Sequence, residues 1–443
     1  MSPEPTLRPR GLVAAALLGV LCLLPRPATA EDRYARIQAL YHEALDAHKK
    51  KDYPAYYARM SQLHEMVPTD SETTFRHAAA AALTGRTAEA EALLKRLAVF
   101  QSSFELAGNP DFAAVRESEA YKSAVAAMEA LKKPVGTETV AFRLEQKDFV
   151  PEAVTWDAGT KSFLVSSVRH RKVVRVARDG TARELVPEGS HGLWSALGIA
   201  VDSPRRILYV CSSAHPQTLG VKKEDVGKAA LLAFHADSGK FLGSWPLGGG
   251  GKEHACDSVA VSSQGVVYVS DGVTGEVSRL RRGAQSLGKS LETFLPAGTL
   301  YSAQSLAFGP GEKTLFIADY AQGVFRVDLA TRKAVLLPKP DDVDLNGLDG
   351  MAYYGGTLLA VQNGLAPTRV LRLRLSPAQD RIDKVETLAR GLAVHDDPTL
   401  ATVVDGVLYY VANSHWNKFG EDGELKDPES LSGPVVLRVG LGR

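Results

Sequence analysis

The sequence predicts a mainly β chain, a six-bladed β-propeller, preceded by a small α-helical domain. Three observations predict it. An Ala-, Leu-, Glu- and Lys-rich stretch ends at Lys132-Lys133-Pro134-Val135-Gly136, after which Val, Tyr, Thr and Gly rise. Six segments of one shape recur beyond that junction. A helical period of about 34 residues runs before it. The expected division is an export signal over 1–30, helical repeats over 31–133 and a propeller over 137–443.

The N-terminus reads as a signal peptide. Arg8 and Arg10 precede an apolar run from Leu12 to Leu24, and Ala28-Thr29-Ala30 supplies the small-x-small cleavage pattern. At about 13 residues the run is too short to span a bilayer as a helix. Cys22 follows Leu21, whereas lipoprotein processing wants a small residue there. The mature chain is therefore expected outside the cytoplasm, periplasmic or secreted, with no membrane span. Lys+Arg is 52 against Asp+Glu 51, a formal charge of +1. Residues 1–30 hold three cations and one anion, so their removal leaves −1. So even a balance argues against a nucleic-acid partner, which requires a basic face. Cys211 and Cys256 then remain, and in an oxidising compartment they form a candidate disulfide; two buried thiols are the alternative.

From Asp32 to Leu131 the pattern is helical. Ile37, Leu40, Ala44, Ala47, Tyr56, Met60, Leu63 and Pro68 occupy the packing slots of one helix-turn-helix unit. Ala78, Ala81, Ala90, Leu94 and Leu97 occupy the same slots of a second unit opening at Ser71. The pattern resembles the tetratricopeptide repeat over about two units, with Ala120–Leu131 as a cap. Such repeats imply a possible protein partner, although two units offer little surface.

The six strand-rich segments are Pro151–Trp156, Ala196–Val201, Cys256–Val261, Ala303–Phe308, Leu348–Tyr353 and Asp397–Thr402. Their second residues are spaced by 45, 60, 47, 45 and 49, and about 50 residues make one four-stranded blade. The last segment is followed only by Val407–Val411 and Val435–Val439, one strand short, while Thr139–Leu144 is spare. Pairing that spare strand with Val435–Val439 would close the ring.

Inner strands of a propeller begin at one face of the channel, so the second residues form a ring: Glu152, Leu197, Asp257, Gln304, Asp349 and Pro398. Three carboxylates and an amide in a poorly solvated space call for a cation or for protons. Oxygen donors favour Ca²⁺ first, with Mg²⁺, Mn²⁺ and Zn²⁺ as alternatives. The competing reading has these groups capping backbone amides or holding water. Three residues earlier lie Phe149, Trp194, His254, Tyr301, Asn346 and His395, expected to line the mouth and contact substrate. His415 and Trp416, in a loop reaching the same face, are weaker candidates. No G-x-S-x-G, H-E-x-x-H or phosphate-binding glycine loop occurs.

Gln304–Tyr320, QSLAFGPGEKTLFIADY, and Pro151–Trp156 resemble the gluconolactonase/regucalcin family of six-bladed propellers, with motifs partly shared with NHL-type repeats. The resemblance implies metal ligands at Glu152, Gln304 and Asp349, and a substrate contact at Asp257. Two positions depart from the family's Asn: Gln304 carries a longer arm and Asp257 adds charge. A related ring occurs in paraoxonase-like calcium lactonases. The implied chemistry is hydrolysis of a small ester or lactone, with a divalent cation polarising the carbonyl and Asp349 taking the water's proton. The alternative is a non-enzymatic binding or scaffold protein of the cell envelope.

Overall fold

The computed structural model describes residues 30–248, 251–282, 287–420 and 422–442; the expected export signal, Ala30 apart, lies outside them. Five helices lead: α1 (Ala30–Lys49), α2 (Tyr53–Met66), α3 (Ser71–Leu83), α4 (Thr87–Leu97) and α5 (Glu119–Leu131). Three of their starts are set by side chains that accept from otherwise orphaned amides: Asp52 from Ala55 in α2, Asp70 from Thr73 in α3 and Ser118 from Tyr121 in α5. Leu40, Ala44, Ala47, Tyr56, Met60 and Leu63 bury together between the first helices. Ala78, Ala81, Ala90, Leu94 and Leu97 join Phe112, Tyr121 and Met128 in a second cluster. The periodicity in the sequence thus marks the faces that the helices bury.

Six four-stranded antiparallel sheets follow. Their inner strands, blades 1 to 6 in order, are Pro151–Asp157, Ser195–Asp202, Cys256–Val261, Ala303–Phe308, Leu348–Tyr354 and Ala401–Val404. Blade 6 takes its outer strand from Val140–Arg143, which pairs antiparallel with Val435–Gly440 in the register Val140↔Leu437 and Arg143↔Val435. The spare strand of the sequence is the one that closes the ring: it ties the start of the propeller to its last blade, and each blade keeps only short edges. Cys211, in the second strand of blade 2, is disulfide-bonded to Cys256 at the start of blade 3, with Cα atoms 5.0 Å apart. Among the described residues no helix is long and apolar enough to cross a membrane.

The helical region docks on the propeller face where the inner strands begin, over blades 4 and 5. Asp344 Oδ2 accepts from both the amide and the hydroxyl of Ser71, at 2.8 and 2.7 Å. Asn346 Nδ2 donates to Asp70 Oδ2 at 2.7 Å. Arg369 donates to the Gln101 carbonyl, Ser103 N donates to the Ala366 carbonyl, and the Tyr34 ring stacks on Tyr301. Burial, and then the neighbouring charge of Asp344, pushes the Asp70 carboxyl from its ordinary 3.8 up to about 7. A raised folded-state value means that the docked state holds its proton more tightly than the unfolded chain. The contribution of this carboxyl to stability is then fully present below pH 4 and is lost as pH rises through 7. Asp70→Asn, which still caps α3, is expected to raise the Tm at pH 8 and to leave it nearly unchanged at pH 4. Equal effects at both pH values in a thermal melt would disprove this.

Candidate functional site

The ring residues are positioned by a recurring irregularity. In blades 1 to 5 the ladder between first and second strands shifts register once, between Pro151 and Val154, Ala196 and Ile199, Cys256 and Val259, Ala303 and Leu306, and Leu348 and Met351. Each shift spans the ring residue: Glu152, Leu197, Asp257, Gln304 or Asp349. A bulge turns a side chain out of the regular alternation and frees it to face the channel. Serines of the second strands take up freed amides: Ser166 Oγ accepts from Ala153 N and Ser270 Oγ from Ser258 N, both at 3.0 Å. Gly350 lets blade 5 meet blade 6, since a Cβ there would stand 2.6 Å from the Thr399 carbonyl oxygen.

Blade 6 breaks the phase. Its ladder begins at Ala401 without a bulge, and Asp397 takes a left-handed conformation, φ 62°. The sequence placed Pro398 in the ring; the acid that acts on Glu152 from this blade is Asp397. Pro398 has no side-chain polar group to offer, and the charge of its neighbour Asp397 acts on Glu152 instead.

The site is built from Glu152, Asp349, Asp257, Asp397 and Gln304. Glu152, Gln304 and Asp349 are each buried. Loss of solvation pushes Glu152 well above the ordinary carboxyl range, and the charges of Asp349, Asp257 and Asp397 add to it; a hydrogen bond from Trp416 Nε1 to Glu152 Oε2, 2.6 Å long, opposes the shift. The Glu152 carbonyl accepts from Leu400 N and Thr399 Oγ1, at 3.1 and 2.7 Å, which ties blade 1 to blade 6 beside the acid. Asp257 and Gln304 meet over Gly272, where a Cβ would lie 1.6 Å from Asp257 Oδ2 and 3.1 Å from Gln304 Nε2. Gln304 Nε2 donates to Ser302 Oγ at 2.9 Å, leaving its amide oxygen as the acceptor end. Asp349 Oδ2 accepts from Asn363 Nδ2 at 2.7 Å. Among the described residues, no three His, Cys, Asp or Glu side chains converge closely enough to make a finished metal site. Past the ring the channel holds a cavity of about 250 Å³, lined by neutral residues from all six inner strands, including Thr155, Ala200, Val259, Ala307, Ala352 and Thr402.

The expected mouth residues have other partners. Tyr301 stacks on Tyr34 and Asn346 binds Asp70, so both dock the helical region. His254 Nδ1 pairs with Asp271 at 2.6 Å, which raises its pKa, and its Nε2 lies against Gly248, where a Cβ would come within 1.9 Å. His395 pairs with the Tyr410 hydroxyl at 2.8 Å, and burial lowers its pKa to about 4. Trp194 packs against the core between blades 1 and 2, and Phe149 is buried. Trp416, read from the sequence as secondary, instead contacts the ring directly. Asn363 and Asp397 were not anticipated. Carrying the repeat alignment to the ends of the second strands would have found Asn363; no sequence signal marks Asp397.

No protein-family model and no curated protein matches the chain. Solved structures with similar folds include a gluconolactonase from Xanthomonas campestris, at 16% identity over 69% of this chain and 88% of that one, TM-score 0.44. A luciferin-regenerating enzyme matches at 15% identity over 70% and 96%, TM-score 0.48. The calcium-binding protein regucalcin from Agrobacterium tumefaciens matches at 12% identity over 69% and 98%, TM-score 0.45. These likenesses concern the fold, and the chemistry rests on the ring itself.

Proposed function

We propose that the ring is the active site of an exported hydrolase acting on a small carboxylic ester or lactone. The observation that carries this reading is the pair of buried acids Glu152 and Asp349: burial first, and then the charge of Asp349, raises the proton affinity of Glu152. Glu152, Asp349 and the amide oxygen of Gln304 would hold a divalent cation, and their hard oxygen donors suit Ca²⁺ first, with Mg²⁺, Mn²⁺ or Zn²⁺ as substitutes. Such a cation supplies carbonyl polarisation and a more acidic bound water.

The chain's own residues divide the remaining work. Asp349, with Oδ2 held by Asn363, would accept a proton from the attacking water. Asp257, beside Gln304 over Gly272, is the substrate-facing acid. The neutral cavity past the ring excludes charge and favours a small, uncharged acyl group. The Cys211–Cys256 bond supports an oxidising compartment, periplasmic or extracellular. The test is metal analysis of the purified protein with hydrolysis of an ester and lactone panel. Activity should vanish in chelator and return with Ca²⁺; hydrolysis indifferent to chelator would reject the cation, and none on any substrate would reject the enzyme.

A specific observation favours a second reading, a non-enzymatic binding protein. The helical region sits on the ring face of blades 4 and 5, as a module presenting a partner surface would. A cation bound with no hydrolysis would select it.

A further inference from the structure

The residue that follows the second strand of each blade forms a layer behind the ring: Val168, Ala214, Gly272, Tyr320, Asn363 and Ala412. In blades 1, 2 and 6 this position is a buried apolar residue, and in blade 3 it is the glycine under Asp257 and Gln304. Only blades 4 and 5 place polar side chains there, and those two are joined to each other and to the ring. Tyr320 OH donates to Asn363 Oδ1 at 3.0 Å, and Asn363 Nδ2 donates to Asp349 Oδ2 at 2.7 Å.

The backbone holds this pair in place. Gly347 N donates to the Tyr320 carbonyl at 2.6 Å, and the amides of Asn363 and Gly364 both donate to the Gly347 carbonyl at 3.1 Å. Gly347, at φ +70°, lies so close to Gly364 that a Cβ would meet its Cα at 2.4 Å. No side chain fits at Gly347, and a Cβ at Gly364 would stand 2.8 Å from the Tyr320 hydroxyl, so these two glycines of blade 5 leave the room in which Tyr320 of blade 4 reaches the Asn363 amide.

An amide can present either end to a carboxylate, and only its N–H end binds one. The carboxylate, which can only accept, selects that end, and the Tyr320 hydroxyl then donates to the Oδ1 left on the other side. We infer that Asn363, anchored on its far side by Tyr320, is the positioning residue of Asp349: its hydrogen bond to Oδ2 fixes the carboxylate that accepts the water's proton. This inference rests on the hydrolase reading, which gives Asp349 the proton-accepting role.

The test is a set of variants, Asn363→Ala, Tyr320→Phe and Asp349→Asn, with Asn363→Ala also made in the Asp349→Asn background. Loss of a partner that orients an active group commonly costs about 10- to 100-fold. Asn363→Ala should therefore lower kcat by about that factor with KM nearly unchanged, and Tyr320→Phe should lower it less, with the same split. In chelator, Asn363→Ala should lower the denaturant midpoint of the wild type but shift the Asp349→Asn protein less, because there the lost hydrogen bond runs to a neutral amide instead of a carboxylate. An equal midpoint shift in both backgrounds, or an unchanged kcat in Asn363→Ala where Asp349→Asn is inactive, would overturn the inference. If the wild type hydrolyses nothing while the midpoints remain coupled, the hydrolase reading falls and the Asn363–Asp349 contact stands.

Discussion

Asp349→Asn is expected to lower kcat/KM for ester or lactone hydrolysis by about 10²- to 10⁴-fold, the range attached to loss of a general base. The substitution is nearly isosteric, and its side-chain oxygen can still accept from Asn363 Nδ2, so the inner strand of blade 5 should be undisturbed. It also removes the charge that acts most strongly on Glu152 after burial itself. In chelator the variant should therefore melt above the wild type, because repulsion between buried acids has been relieved. With Ca²⁺ present the order should reverse, since only the wild type gains from binding an ion. Melting curves with and without Ca²⁺, set beside hydrolysis rates, check both halves. Retention of more than a tenth of the wild-type rate would remove Asp349 from the chemistry. A lower melting point in chelator would mean that the ring is a structural network, needed for folding.

Asp157→Ala is expected to destabilise the propeller by about 3–5 kcal/mol, the cost of leaving a buried charge without its partner. Asp157 ends the inner strand of blade 1 on the face opposite the ring and is wholly buried. Its Oδ2 accepts from Arg175 Nη1 at 2.9 Å and Arg206 Nη2 at 2.8 Å, and its Oδ1 from Arg206 Nη1 at 2.6 Å. Arg175 is 4% exposed, so without the acid its guanidinium cannot reach water. Because Arg206 belongs to blade 2, the loss also unties two blades. Burial alone would raise the Asp157 pKa, but hydrogen bonds from Arg206, Arg175 and Thr160 outweigh it and hold the carboxyl well below the usual range. A depressed folded-state value contributes stability that is present above pH 4 and lost as pH falls further. The wild type should therefore lose stability below pH 4, and Asp157→Ala should lose less over the same range. Chemical unfolding from pH 6 to pH 3 measures both; a cost below about 1 kcal/mol would place the interaction with ordinary surface pairs.

Much of the fold was legible before any coordinates. Short apolar strand segments and turn residues recur at blade length because strand alternation and turn chemistry are local, and each blade repeats the same local problem. The count of six, the spare strand that closes on Val435–Gly440 and the apolar faces of the helices could all be read from spacing. The acids Glu152, Asp257 and Asp349 were legible too, since aligned repeats bring equivalent positions to equivalent places around an axis. The alignment failed at Pro398, where one left-handed residue, Asp397, shifts the phase of blade 6. A single backbone turn of this kind leaves no periodic trace.

Only the tertiary structure decided what touches those acids. Trp416 reaches Glu152 across 264 residues, and Asn346 binds Asp70 across 276. Tyr301 and Asn346 looked, in sequence, like further mouth residues; docking of the helical region assigns them to an interface. Asn363 and Tyr320 come together because Gly364 of blade 5 leaves room for the Tyr320 ring of blade 4. Composition and period determine which residues face the axis, because they act within one blade. Which of those residues become partners depends on how blades and helices pack, and that is set by contacts between segments far apart in the chain.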